Sequence, residues 1–71
     1  MKTEEAIIRV LKSRNKQEAG ERYRQVMLSI NRGEVDWRAL NEAIMERWSY
    51  SGLEKIKNIA WMGLEGGGSD A

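Results

Sequence analysis

The segment Leu11-Lys12-Ser13-Arg14-Asn15-Lys16-Gln17-Glu18-Ala19 decides how this chain folds. Before it, an apolar stripe runs through Ala6, Ile7, Val10 and Leu11. After it, a second runs through Ala19, Tyr23, Val26, Met27 and Ile30, at the i, i+4, i+7, i+8, i+11 spacing of one helix face. At about 100° per residue the centres of the two stripes lie about 160° apart, so one straight helix would carry nearly opposite apolar faces. Asn15, with Glu18 three residues later, has the form of a capping box. A break there lets both stripes face one core and predicts helices over 3–12 and 16–31. The alternative is an unbroken helix from Thr3 to Asn31 whose two ends pack on different partners or subunits.

Working outward, Thr3 is the expected N-cap of the first helix, with Glu4 and Glu5 where the helix dipole favours negative charge. Gly33 can take the left-handed conformation that ends the second helix. Gly20, inside that helix, marks either close helix packing or an exposed site that tolerates glycine. Asp36 is a good N-cap for a third helix over 37–48, whose stripe is Trp37, Leu40, Ile44 and Trp48. Ser51-Gly52-Leu53-Glu54 reads as a capping box opening a fourth helix over 52–64, and Leu53, Ile56, Ala60 and Leu64 repeat the offsets of the third stripe. Beyond Glu65 the chain reads Gly66-Gly67-Gly68-Ser69-Asp70-Ala71, the composition of a flexible tail. The expected fold is all-α: a small bundle of three to four helices in one domain, 1–65, with a disordered tail over 66–71.

Composition agrees with helix. Proline is absent, β-branched residues are few, and 71 residues suffice for one domain with a small core. The chain has no cysteine, so no disulfide framework supplements that core. Val26-Met27-Leu28 is typical of the longest apolar runs, far short of the roughly 20 residues that span a bilayer, and Met1 to Glu5 has none of the character of a signal peptide. A soluble, unprocessed, cytoplasmic protein is expected, with no membrane partner. The net charge of +1 conceals an asymmetry: residues 1–33 carry 8 Lys and Arg against 4 Asp and Glu, whereas residues 34–71 carry 4 against 7.

Histidine is absent along with cysteine, which removes the commonest general base, metal ligand and nucleophile. No catalytic, cofactor or metal site and no small-molecule substrate is expected. Glu42 and Glu46 share a helix face, but with Arg38 and Arg47 they read as an ordinary charge-laced surface. The Gly66 to Gly68 cluster follows a helix and lacks the lysine of a phosphate loop.

Two features point to binding. Ile8, Leu28, Met45, Trp61 and Met62 lie at or beyond the edges of the stripes that form a minimal core, and Trp, Met and Arg are the types enriched at interfaces. Basic residues are dense in the first half, including Arg9, Lys12, Arg14, Lys16, Arg22 and Arg24. The leading expectation is therefore a non-catalytic helical module that binds a protein partner, modulating a larger protein or self-associating, through Trp61, Met62, Met45, Leu28, Ile8, Arg14, Lys16, Arg22 and Arg24. The alternative is a small DNA- or RNA-binding transcription regulator. Residues 40–61 have the layout of a helix-turn-helix, with Ala43 preceding Leu53 and Ile56 by 10 and 13 positions and Trp48 in the turn. On that reading Ser49, Ser51, Lys55, Lys57 and Asn58 face nucleic acid. Arg47 stands where the turn glycine is usual, Glu46 stands at a normally apolar position, and this half of the chain is acidic.

Overall fold

The fold is described from a computed structural model, which covers the backbone of residues 1–69 and the side chains of residues 1–63. It is all-helical, with α1 at Thr3–Leu11, α2 at Lys16–Asn31 and α3 at Trp37–Ser69. α3 is interrupted by non-helical backbone at Ser49, which divides it into a first arm, 37–48, and a second arm beginning at residue 50. Among the described residues there is no strand, and no helix is long and apolar enough to cross a membrane. The backbone stays helical to Ser69, past the helix end expected at 64 and into the tail expected over 66–71, while Asp70 and Ala71 lie outside the described residues.

The chain breaks between α1 and α2, as the opposed stripes require. The Glu18 N–H donates to Asn15 Oδ1 at 2.9 Å, and Glu18 Oε1 reaches back to accept from the Arg14 N–H at 3.1 Å. The reciprocal bond thus falls one residue earlier than in the usual capping box. The core that results takes residues from every element. It holds Ala6 and Val10 of α1, Ala19, Tyr23 and Val26 of α2, Leu40 and Ile44 of the first arm, and Leu53, Ile56 and Ala60 of the second. Val35, in the α2–α3 turn, completes it.

Three expectations need correction. Thr3 does not cap α1: Lys2 holds the N-cap position, and Thr3 Oγ1 instead accepts from the Asp36 N–H at 3.0 Å, tying the start of α1 to the turn before α3. Asp36 does cap α3, its Oδ1 accepting from the Arg38 N–H at 3.0 Å. No capping box forms at Ser51-Gly52-Leu53-Glu54, because the helix is already under way there and the break is the single residue Ser49. Ser49 has φ 68° and ψ 176°, a region that is essentially restricted to glycine and costs of order 1–3 kcal/mol for other residues. Trp37 has the angular position of a core residue yet is 51% exposed, because it sits at the very start of its helix, past the end of the packed layer.

Two glycines are required for opposite reasons. Gly33 has φ 78° in a Schellman ending: its N–H donates to the Ile30 carbonyl at 3.0 Å, and the Glu34 N–H donates to that of Ser29 at 2.9 Å. Space around it is open. Gly20 is helical and buried against the second arm, and a Cβ there would lie 2.6 Å from Ile59 Cβ and 3.1 Å from the Ile56 carbonyl oxygen. The ambiguity over Gly20 resolves as close packing. Gly20→Ala should therefore lower stability by about 1–2 kcal/mol in urea unfolding, since overpacking outweighs the helix propensity gained. Gly33→Ala should cost about 1 kcal/mol for backbone conformation alone. A stabilised Gly20→Ala chain would contradict the packing.

Candidate protein-binding groove

The inward faces of α2 and of the second arm leave a flanking row on each. On α2 the row is Arg24, Leu28 and Asn31, at i, i+4 and i+7; on the second arm it is Lys57 and Trp61, at i and i+4. These rows face each other across a groove of roughly 600 Å³, whose floor is Tyr23, Met27 and Ile30, with Trp37 also in its lining. Leu28 is 65% exposed, Trp37 51% and Trp61 52%, so three large apolar side chains separated in sequence converge here and remain accessible. Among the described residues, no acidic side chain lines the groove. Its charged lining residues are Arg24 and Lys57, and Arg38 stands 5.8 Å from the centroid of the Trp37 ring. Lys57 also lies 3.8 Å from Glu54, an ion pair exposed on both sides.

A buried polar pair supports the floor. The Tyr23 hydroxyl donates to Asn41 Oδ1 at 3.0 Å, and burial pushes the phenol above its ordinary pKa. Tyr23 is thus core, as its place on the apolar stripe implied. Its partner Asn41 carried no signal in the sequence, because a single polar residue on a helix reveals nothing about what faces it.

The other expected binding residues divide. Met62 is exposed on an adjacent hollow lined by Gln17, Glu21, Arg24, Ile59 and Gly63, with Arg24 shared between the two surfaces. Ile8 is exposed too, but in a mixed-charge cleft between α1 and α2 with Glu5, Arg9, Lys12, Glu18, Glu21, Arg22 and Gln25, apart from the groove. Met45 is half-buried and packs on the core, apart from the groove lining. Arg22 is engaged internally, donating to the Arg9 carbonyl at 2.9 Å and pairing with Glu18 at 3.5 Å. Arg47, which the sequence suggested was ordinary surface, donates to the Leu11 carbonyl and stacks 4.2 Å from the Trp48 ring centroid. The two arginines thereby take up carbonyls at the end of α1 that the helix itself leaves unpaired. Arg14 is exposed in the link before Asn15, and Lys16 lines a hollow with Asn15, Gln17, Trp48, Lys55 and Ile59.

The proposed nucleic-acid residues are also split. Ser49 and Ser51 are exposed, their hydroxyls 3.1 Å apart, and Ser51, Lys55 and Asn58 follow one another along the exposed side of the second arm. Lys57 points away from them into the groove. Of the groove residues, the sequence singled out Leu28, Trp61 and Arg24 for protein binding, placed Trp37 in the core and assigned Lys57 to the nucleic-acid alternative. Compared with known proteins, the chain matches no family model, no curated protein and no solved structure.

Tyr23→Phe should cost about 1–3 kcal/mol, the penalty for leaving the Asn41 acceptor buried and unpaired. It should also flatten the alkaline limb of the stability profile. Because the folded phenol holds its proton more tightly than the unfolded one, the wild type loses stability as pH rises above about 10. Urea midpoints at pH 7 and above pH 10 for both chains measure the two effects; an unchanged alkaline limb would show that Tyr23 does not govern it.

Proposed function

We propose that this chain is a non-catalytic binding module that receives an amphipathic helical segment of a protein partner in the groove between α2 and the second arm of α3. The observation that carries the reading is the convergence of exposed Leu28, Trp37 and Trp61 beside Arg24 and Lys57, with no carboxylate among the described lining residues. An apolar helix face laid in such a groove buries aromatic and aliphatic surface together, the arrangement in which interface hot spots form. Cations at the rim favour a partner whose apolar face is flanked by Asp or Glu. Modulation of a larger protein follows from such docking, since the chain supplies a rigid surface and no chemistry of its own.

Intrinsic tryptophan fluorescence reports directly on this groove. A synthetic helix of about 15 residues, with an apolar i, i+3, i+4, i+7 face flanked by Glu, should bind and shift the emission. The same peptide with Lys in place of Glu should bind at least about tenfold more weakly, and Trp61→Ala should weaken the Glu peptide by about tenfold or more, a difference of about 1.4 kcal/mol. Equal affinity for the two peptides, or indifference to Trp61→Ala, would remove the reading.

Nucleic-acid binding has one observation in its favour: Lys16 and Lys55 line one hollow beside Trp48, with no acidic residue among the described lining, and Ser51, Lys55 and Asn58 continue along the same arm. Titration with mixed-sequence DNA should then give an affinity that falls steeply between low and moderate salt, as counterion release requires. Absence of binding at low salt would eliminate it.

A further inference from the structure

The bend at Ser49 holds a non-glycine residue in backbone conformation that only glycine adopts readily, between two arms that contain no proline and are otherwise helical. A helix end normally recovers its unpaired backbone groups through caps. At this break the described side-chain contacts amount to the paired hydroxyls of Ser49 and Ser51. The bend is also tight: a Cβ on Gly52 would overlap Trp48 Cβ. In an unbroken helix those same positions are ordinary i, i+4 neighbours with room for alanine. The bend is therefore strained at Ser49 and crowded at Gly52, and what holds the chain in it is the burial of Leu53, Ile56 and Ala60 against the rest of the core, with Gly20 against Ile59.

A straight α3 of 33 residues would be about 50 Å long, well beyond the 35 Å greatest extent of the folded chain, so its second arm could not stay on its own α2. A second copy opened in the same way offers every contact that the arm has lost. We infer that Ser49 is a hinge through which two copies of this chain exchange their second arms, each arm docking on the partner's α2. Short hinges under strain favour such exchange. The groove is then rebuilt between copies, with Leu28 and Trp37 from one and Trp61 from the other. This inference is independent of the groove's ligand.

The full-length chain, its Gly52→Ala and Ser49→Ala variants, and Ser49→Gly are refolded over a range of concentrations and their masses measured by light scattering. Gly52→Ala should raise the dimerisation constant by at least about tenfold, and Ser49→Ala severalfold, while Ser49→Gly should lower it by about tenfold by relieving the bend. The chain lacks cysteine, so Arg38→Cys and Asn58→Cys can each carry one spin label. With labelled chain diluted into unlabelled, the dimer should show an intrachain separation of about 30 Å, the length of 20 helical residues, against a shorter one in the monomer. Three results would overturn the inference. One is a folded Gly52→Ala that remains as monomeric as the wild type. Another is failure of both Gly52→Ala and Ser49→Ala to fold, since the exchanged dimer accommodates either. The third is a dimer that keeps the monomer's label separation.

Discussion

The hydrogen bond from the Glu18 N–H to Asn15 Oδ1 is short and local, yet the rest of the molecule depends on the reversal that it caps. Without a break between Leu11 and Ala19, the stripes of the first two helices point in nearly opposite directions and no single chain can bury both. With it, Val10 and Val26 reach the same interior and α3 has a two-helix surface to cover. The break is reinforced from a distance. Arg22 and Arg47 donate to the Arg9 and Leu11 carbonyls at the end of α1, where the helix has run out of donors. Of the basic residues dense in the first half, Arg22 is thus engaged in holding a helix end.

α3 must then pack on both α1 and α2, and Ser49 is the residue at which it turns. The turn draws the second arm onto α2 so closely that position 20 has no room for a methyl group. Close approach of the two backbones has a consequence for the surface. Side chains on the flanks of both helices cannot converge inward, so Leu28 and Trp61 stand out on either side of the seam, with Tyr23, Met27 and Ile30 between them. The groove is a by-product of tight packing at one edge of a small core. A chain of this size has few residues to spare, so apolar side chains left on such a seam are the natural place to look for a partner.

Helical periodicity made much of this legible. The stripes, the break at Asn15, the cap at Asp36 and the left-handed Gly33 are all properties of a few consecutive residues, and each was found where local chemistry placed it. Leu28 and Trp61 were recognisable as surplus to the stripes for the same reason. What could not be read was axial position. Trp37 has a core residue's angle but lies at the first position of its helix, whereas Met45 sits off the stripe but near enough to the interior to pack on it. Angle follows from sequence spacing; overhang depends on how long the neighbouring helices are and where they cross.

The amino-acid sequence by itself determined that the chain is all-helical, where its helices start and stop to within a few residues, and which faces are apolar, because helix propensity, capping and periodicity act over one or two turns. Tertiary structure alone decided that Thr3 serves Asp36 and not its own helix, that Asn41 receives the buried Tyr23 hydroxyl, that Gly20 is a contact point and that Lys57 joins the groove in place of the Ser51 face. It also decided the form of the break in α3. The sequence placed a link between residues 48 and 52, but that the link shrinks to the single residue Ser49, at φ 68°, follows from how the second arm buries Leu53, Ile56 and Ala60 in the core.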